Sequence, residues 1–255
     1  VLAALQQAAV KLGLEPHQLA IVCGIGCSGR LSGYVYAYGM HTTHGRALPF
    51  AQGLKLANPE LNVIACGGDG DGMAIGLGHT YHAIRRNVNL TYILMDNHVY
   101  GLTKGQTSPR SDWGFKTKTT PTGNIETPVA TLEMALSAGA SFVAQGFSTQ
   151  LQELTDLIVA AVKHPGFSLV NVFSPCVTFN KVNTYDWFKE RLVGIDSIED
   201  YDRYDKGKVL QHILEHEGLL TGLLYEDRKK RSYEEVSGLA NNNQMQSVRK
   251  FTKAE

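Results

Sequence analysis

Short, nearly continuous apolar runs alternate with stretches of helical spacing along most of the chain. The apolar runs predict buried strands at residues 20–25, 62–66, 90–96 and 167–173. The helical spacing predicts helices at residues 1–12, 46–57, 72–86, 128–138 and 149–163. Strands that are apolar throughout and alternate with helices are typical of a parallel sheet covered on both faces. The pattern therefore predicts an α/β fold with a mostly parallel sheet and helices on both faces.

The region after about residue 183 differs from the part before it, because it is more charged and more aromatic. We expect residues 1–183 to form the α/β domain and residues 184–255 to form a C-terminal extension or arm that contacts a partner subunit. The last stretch, from Ser232 to Glu255, is polar and poorly patterned, which is typical of an arm or a flexible tail.

Composition and charge narrow the class of protein. Hydrophobic residues make up 43% of the 255 residues and charged residues 19%, so a sizeable core is available. The formal net charge is zero, which argues against binding of nucleic acid through a general basic field. No apolar run approaches the ~20 residues that span a bilayer, and residues 1–14 lack a cleavage pattern. We expect a cytoplasmic protein that binds neither nucleic acid nor membrane.

The four cysteines fall into two kinds of context. Cys23 and Cys66 lie inside apolar runs and are expected to be core residues, since a free cysteine packs as a small hydrophobe. Cys27 and Cys176 lie in turn-like segments, next to glycine and proline. These two are candidates for chemistry, with unrelated turn cysteines as the alternative.

A glycine-rich acidic segment, Gly67 to Gly72, directly follows one predicted strand and opens a predicted helix. Glycines at such a place let the backbone approach a phosphate, and a helix N-terminus favours negative charge. Asp69 and Asp71 would repel a bare diphosphate, so a divalent cation is implied. Magnesium prefers oxygen ligands and commonly bridges a carboxylate and phosphates.

A second polar segment, which begins Asp96-Asn97-His98, follows the next predicted strand. One helix and one strand separate it from Gly70, so the two strand ends can lie side by side. Residues at both ends could then bind the same metal ion. A pair of ordinary Gly/Asn turns is the alternative. Together the segments resemble the thiamine-diphosphate motif, Gly-Asp-Gly followed some way on by Asn. This resemblance implies that the side chains of Asp69 and Asn97 and the carbonyl of Val99 bind Mg²⁺.

Several further segments resemble one family that uses this cofactor, the β subunits of 2-oxoacid:ferredoxin oxidoreductases. The matching segments occur in the family's order over about residues 1–215. They are IGCSG (25–29), HTTHGRA (41–47), YGLTKGQ (100–106), SPCVTFN (174–180) and YDWF (185–188). The resemblance implies the thiamine-diphosphate-binding fold for this chain.

The resemblance also implies an activity and partners. The enzyme would decarboxylate a 2-oxoacid oxidatively, with coenzyme A taking the acyl group. Whether the reaction runs in the oxidative or the carbon-fixing direction stays open. Electrons would pass through a 4Fe–4S cluster to ferredoxin. An α subunit, or α and γ subunits, would complete the enzyme as a heterodimer or a dimer of heterodimers. The catalytic base is expected from the α subunit, so this chain would supply half of an active site.

Site residues follow from the same resemblance. Cys27 and Cys176 would bind the cluster together with a Cys-x-x-Cys pair, which we expect upstream of Val1. The family's cofactor-binding positions match Cys27, Ser28, His44, Gly68, Asp69, Gly70, Asp71, Asn97, Val99, Tyr100, Gly101, Leu102 and Thr103. For His44, a histidine satisfied by local hydrogen bonds is the alternative.

Arg30 and Lys104 are the candidate substrate contacts. Arg30 lies in the loop after Cys27, where an arginine could bind a second carboxylate with two parallel hydrogen bonds. This favours 2-oxoglutarate, and succinyl-CoA as its product. The alternative for Arg30 is an ion pair at the surface or at a subunit interface.

Two other functions remain open at this stage. A non-oxidative thiamine-dependent 2-oxoacid decarboxylase would use the same cofactor site and release an aldehyde. A non-catalytic phosphate-binding or regulatory subunit would require the Asp69 and Asn97 pair to be accidental.

Overall fold

A single sheet runs through residues 1–239, which are the residues that the computed structural model describes. Within that part, eight strands belong to the sheet. They are β1 (Leu19–Cys23), β2 (Tyr38–His41), β3 (Asn62–Gly68), β4 (Leu90–Asp96), β5 (Phe142–Phe147), β6 (Phe167–Phe173), β7 (Val193–Gly194) and β8 (Leu220–Glu226). Their order across the sheet is β2-β1-β3-β4-β6-β5-β8-β7. Neighbouring strands are parallel except for β5 and β8, which are antiparallel.

The helices cover both faces of this sheet. They are α1 (Leu2–Lys11), α2 (Ala47–Ala57), α3 (Leu77–Arg86), α4 (Thr131–Ser137), α5 (Leu151–Lys163), α6 (Tyr185–Lys189), α7 (Lys206–Glu215) and α8 (Tyr233–Ser237). Alternate residues of a strand point to opposite faces, so β1 sends Ala20 towards α2 and α3 and Ile21 towards α1 and α5. The predicted α/β fold with a mostly parallel sheet is confirmed. Among residues 1–239, no helix is long and apolar enough to span a bilayer.

Four strands escaped prediction, and β5 illustrates the reason. It contains a polar residue, Gln145, yet every residue of the strand is buried. The amide of Gln145 donates to the carbonyls of Gly218 and Leu220, both at 2.7 Å. A polar side chain that is hydrogen-bonded in this way can lie in a core strand. The strand is then no longer a continuous apolar run, so the sequence does not reveal it.

The region from residue 184 onward adds to the same sheet. Strand β8 pairs with β5, and Tyr225 of β8 is buried in the core on one face. The described part of the predicted C-terminal arm therefore folds against the sheet. Residues 240–255, which include most of the predicted flexible tail, lie outside the described residues. The boundary at residue 183 and the contact with a partner subunit stay predictions.

The predicted helix 72–86 is divided in two. A wide helical turn covers Asp71–Ile75, and α3 follows it after Gly76. A side chain at Gly76 would lie 2.5 Å from the carbonyl oxygen of Asp71 and 3.1 Å from the Cα of Gly45. This close approach of two backbones brings the Gly45 turn against the segment after β3.

The carboxyl ends of the central strands meet at one edge of the sheet. Cys23 of β1 is in register with Cys66 of β3, Gly68 of β3 with Met95 of β4, and Asp96 of β4 with Phe173 of β6. Ligands of open α/β sheets bind beyond such strand ends. Both polar segments found in the sequence therefore lie at the same edge.

Candidate functional site

A cavity of about 890 Å³ lies beyond these strand ends. Its wall contains all thirteen of the predicted cofactor-binding residues. They are Cys27, Ser28, His44, Gly68, Asp69, Gly70, Asp71, Asn97, Val99, Tyr100, Gly101, Leu102 and Thr103. Cys176 lies in the same wall. The structure thus brings together residues that several separate chain segments contribute.

Asp69 is a buried carboxylate that directly follows β3. The hydroxyl of Ser108 donates a hydrogen bond to its Oδ2, while no donor from residues 1–239 is directed at its Oδ1. Burial, helped by the nearby charge of Asp96, raises the pKa of Asp69 to about 7. A divalent cation at Oδ1 would offset both effects, so the residue fits a metal ligand.

Asn97 and Val99 follow β4, the strand next to β3. The Oδ1 of Asn97 accepts a hydrogen bond from the backbone N–H of Val99 at 3.0 Å, and Asn180 donates to the Asn97 carbonyl at 3.3 Å. Between them His98 has a φ of 58°, so the chain turns sharply after the strand. No donor from residues 1–239 is directed at the Val99 carbonyl. These oxygens complete a donor set that suits Mg²⁺.

Asp96 is also buried at this edge, but it is already neutralised. Its Oδ2 accepts a hydrogen bond from Arg110 Nε at 2.9 Å, and His98 Nε2 lies 3.4 Å from its Oδ1. Burial raises the pKa of Asp96, but the charges of Arg110 and His98 outweigh burial and lower it. Burial lowers the pKa of His98, whereas Asp96 and Asp112 raise it to about 9. Of these two carboxylates, Asp69 is the one that forms no ion pair within residues 1–239.

Asp71 holds three segments together. Its Oδ1 accepts hydrogen bonds from Ile25 N at 2.9 Å, Gly45 N at 2.8 Å and His44 Nδ1 at 2.9 Å. A side chain at Gly24 would lie only 2.0 Å from its Oδ2, so glycine is required there. The carboxylate fixes the loop that carries Cys27 and the turn that carries His44. His44 therefore makes a local hydrogen bond to Asp71 and also lines the cavity. Its two interpretations, a cofactor contact and a locally satisfied histidine, are compatible.

Two other groups in the wall have features that suit a ligand. The hydroxyl of Ser28 is buried without a hydrogen-bond partner among the described residues. The Tyr100 hydroxyl donates to the Gly70 carbonyl at 3.1 Å, and its ring lies 6.2 Å from that of His44, centroid to centroid. An unsatisfied buried hydroxyl needs a partner, and a diphosphate oxygen would provide one.

The sulfurs of Cys27 and Cys176 are close to each other. A Cβ placed on Gly101 would lie 3.5 Å from each of them, so the two sulfurs are at most twice that distance apart. Both cysteines are free, and Cys27 is exposed. Cys23 and Cys66, by contrast, are fully buried, which confirms that they are core residues. Two accessible thiols at one rim could bind the same cluster.

Arg30 and Lys104 lie outside this wall. Arg30 is exposed, and its guanidinium carbon lies 6.0 Å from the ring centroid of Tyr34. Lys104 is exposed on the turn after Gly101 and has a φ of 75°. In the described part of the chain neither side chain lines the cavity, and their contact with substrate stays a prediction.

Ser108, Arg110 and Ser111 are functional candidates that the sequence did not reveal. They lie in the long predicted loop, which has no periodicity, and they contact Asp69, Asp96 and the residues after β4. Their only signal was position, a Ser-Pro-Arg-Ser segment that follows the YGLTKGQ segment after one intervening residue, Thr107.

Two protein families match the chain, and together they cover most of it. Residues 24–172 match the family described as thiamine pyrophosphate enzyme, C-terminal TPP binding domain. Residues 176–241 match the family described as the C-terminal part of the pyruvate ferredoxin oxidoreductase beta subunit. The boundary between the two matches lies close to the end of β6.

The similar proteins named below are subunits of the same kind of enzyme as these families describe. The 2-oxoacid:ferredoxin oxidoreductase subunit beta of Saccharolobus solfataricus is 46% identical over 204 residues, which cover 79% of this chain and 67% of that protein. The 2-oxoglutarate synthase subunit KorB of Archaeoglobus fulgidus is 47% identical over 181 residues, 71% of this chain and 68% of that one. A solved 2-oxoglutarate:ferredoxin oxidoreductase from Magnetococcus marinus has 2-oxoglutarate, coenzyme A and succinyl-CoA bound. It superposes with a TM-score of 0.89 at 41% identity, covering 94% of this chain and 82% of that chain.

Proposed function

The chain belongs to the β subunits of 2-oxoacid:ferredoxin oxidoreductases, and from this premise we propose that it binds thiamine diphosphate through Mg²⁺ at Asp69, Asn97 and Val99. One observation carries the proposal. The Asp69 Oδ1 and the Val99 carbonyl receive no donor from residues 1–239, and both belong to loops that follow adjacent parallel strands. Asp69 and Val99 both line the cavity, so these oxygens are available to a cation there.

Other residues of the wall would hold and shield the cofactor. Gly68 and Gly70 allow the backbone to approach the diphosphate, and the Ser28 hydroxyl supplies a donor. Tyr100 fixes the Gly70 carbonyl and lines the cavity. When bound, thiamine diphosphate supplies a nucleophilic carbon for the 2-oxo carbonyl and a ring that accepts the electron pair left by carbon dioxide.

Cys27 and Cys176 are proposed as two of the four thiolate ligands of a 4Fe–4S cluster. Their sulfurs lie at the rim of the same cavity, beside Gly101, so a cluster there would be adjacent to the cofactor. We propose a cytoplasmic location, because thiolate ligands of a cluster suit a reducing compartment. The remaining two thiolates are proposed to come from a Cys-x-x-Cys pair of the full-length protein.

The proposed substrates are 2-oxoglutarate and coenzyme A, with ferredoxin as the electron acceptor. Support comes from the two similar proteins that are named for 2-oxoglutarate. Arg30 is exposed beside the Cys27 loop, where an α subunit that completes the pocket could turn it towards a second carboxylate. We expect a heterodimer, or a dimer of heterodimers, with the α subunit supplying the catalytic base.

The test uses the complete complex, purified without oxygen. Incubation with 2-oxoglutarate, coenzyme A and oxidised ferredoxin is expected to give two electrons in reduced ferredoxin for each succinyl-CoA. Omission of coenzyme A should stop ferredoxin reduction. An aldehyde product without ferredoxin reduction would support the non-oxidative decarboxylase instead.

A further inference from the structure

A turn at Ser108–Ser111 joins the two loops that carry the proposed metal ligands. The turn closes on itself, because Ser111 N donates to the Ser108 carbonyl at 3.0 Å and Ser108 N donates to the Ser111 hydroxyl at 2.9 Å. Both serines are buried, with 5% and 0% of their surface exposed. Buried hydroxyls with several partners are held in one orientation.

The Ser108 hydroxyl is directed at Asp69. Its oxygen accepts a hydrogen bond from Arg110 N at 3.2 Å, and its single proton is donated to Asp69 Oδ2. This hydrogen bond occupies one carboxylate oxygen and leaves Oδ1 as the oxygen free for a cation. It also fixes the rotation of the carboxylate group.

The other end of the turn holds the loop after β4. The Ser111 hydroxyl donates to the His98 carbonyl at 2.7 Å, and Arg110 Nε donates to Asp96 Oδ2 at 2.9 Å. These two contacts flank Asn97 on both sides. One turn therefore links the Asp69 carboxylate to the loop that carries Asn97.

From these contacts we propose that Ser108 is a positioning residue for the Asp69 carboxylate and that the Ser108–Ser111 turn preorganises the two loops for a divalent cation. This inference rests on the proposed Mg²⁺ site. Groups that orient a metal ligand typically change metal affinity by about 10–100-fold. Ser108 itself does not touch the cation.

The test measures metal binding rather than activity. Mn²⁺ replaces Mg²⁺ as the probe, and free Mn²⁺ is counted by its electron paramagnetic resonance signal in the complete complex with thiamine diphosphate. The variants are Ser108→Ala, Ser108→Thr, which keeps the hydroxyl, and Asp69→Ala. Ser168→Ala is the matched control, because the buried Ser168 hydroxyl donates to the Ala161 carbonyl at 2.8 Å, away from the cavity.

Ser108→Ala is expected to raise the Mn²⁺ dissociation constant about tenfold or more, while Ser108→Thr and Ser168→Ala stay near the parent. Parent-like affinity in Ser108→Ala, with binding lost in Asp69→Ala, would overturn the positioning role and leave the metal site standing. Parent-like affinity in Asp69→Ala would overturn both. If Ser108→Ala does not fold, a Ser108→Thr complex that folds but binds Mn²⁺ as weakly as Asp69→Ala also overturns the positioning role.

Discussion

Gly70 lies where any side chain would collide with Tyr100, so Gly70→Ala tests how the cavity wall is built. A Cβ at Gly70 would lie 2.1, 2.6 and 2.7 Å from three ring carbons of Tyr100. Non-bonded carbons need about 3.5–4.0 Å, so the ring must move by more than about 1 Å. The backbone at Gly70 has a φ of −65° and a ψ of −27°, which alanine adopts without strain. The substitution therefore strains no backbone angle, and the loss of stability comes from the collision with the ring.

Moving the ring breaks the hydrogen bond from the Tyr100 hydroxyl to the Gly70 carbonyl and disturbs the wall. Overpacking of this kind costs about 1–3 kcal/mol, and the lost hydrogen bond contributes about 0.5–1.5 kcal/mol. We expect Gly70→Ala to lower the melting temperature of the complex and to weaken binding of thiamine diphosphate. Gly78→Ala is the matched control, since a Cβ at this position in the first turn of α3 meets no atom of residues 1–239 within 4 Å.

The assay combines thermal unfolding with calorimetric titration of thiamine diphosphate in the presence of Mg²⁺. A double-mutant cycle with Tyr100→Ala separates the collision from any direct effect of the Cβ on the cofactor, because without the ring Gly70→Ala should no longer lower the melting temperature. The control Gly78→Ala should keep or slightly raise the melting temperature, as alanine favours helices by about 0.5–1 kcal/mol over glycine. Parent-like stability and cofactor affinity in Gly70→Ala would refute the reasoning.

Three further predictions follow from the same structure. Cys27→Ser or Cys176→Ser should each lower the iron content and the visible absorbance of the anaerobic complex, whereas Cys23→Ser should leave both unchanged. Arg30→Val should lower kcat/KM for 2-oxoglutarate relative to pyruvate, and an unchanged preference would reject its role. Phe188→Ala should destabilise the complex by about 3–5 kcal/mol in chemical denaturation, because this fully buried ring packs 4.5 Å from Phe173, centroid to centroid. A loss under about 1 kcal/mol would show that the aromatic cluster contributes little.

The central sheet could be predicted because its strands are buried on both faces. β1, β3, β4 and β6 are apolar over most of their length, and the parallel arrangement explains why. The edge strand β2 has all four residues exposed, so its pattern carries no signal of burial. Strand β8 pairs with a strand some 80 residues earlier in the chain, and such a long-range pairing leaves no local pattern in the sequence.

The proposed ligand residues could be read from the sequence, but the residues that contact them could not. Asp69 and Asn97 are recognisable by their place directly after apolar strands. Ser108 acts through a hydrogen bond to a residue 39 positions earlier, within a loop that has no regular spacing. Only the folded chain shows that this loop returns to the strand ends.

Asp71 shows how a sequence motif can conceal a second role. Next to Asp69 it resembled another residue that contacts the cofactor, and it does line the cavity. Its Oδ1, however, accepts hydrogen bonds from three groups of two other segments, Ile25 N, Gly45 N and His44 Nδ1. Spacing along the chain cannot distinguish a carboxylate that faces a ligand from one that ties loops together.

The central claim is that Asp69 holds a Mg²⁺ that binds thiamine diphosphate. It is tested most directly by calorimetric titration of the complete complex with thiamine diphosphate, with Mg²⁺ and with a chelator. Asp156→Ala is the matched control, because Asp156 is an exposed carboxylate paired with Lys11 on the surface. Binding should require Mg²⁺, persist in Asp156→Ala and vanish in Asp69→Ala. Binding that survives in Asp69→Ala with parent-like affinity would contradict the account.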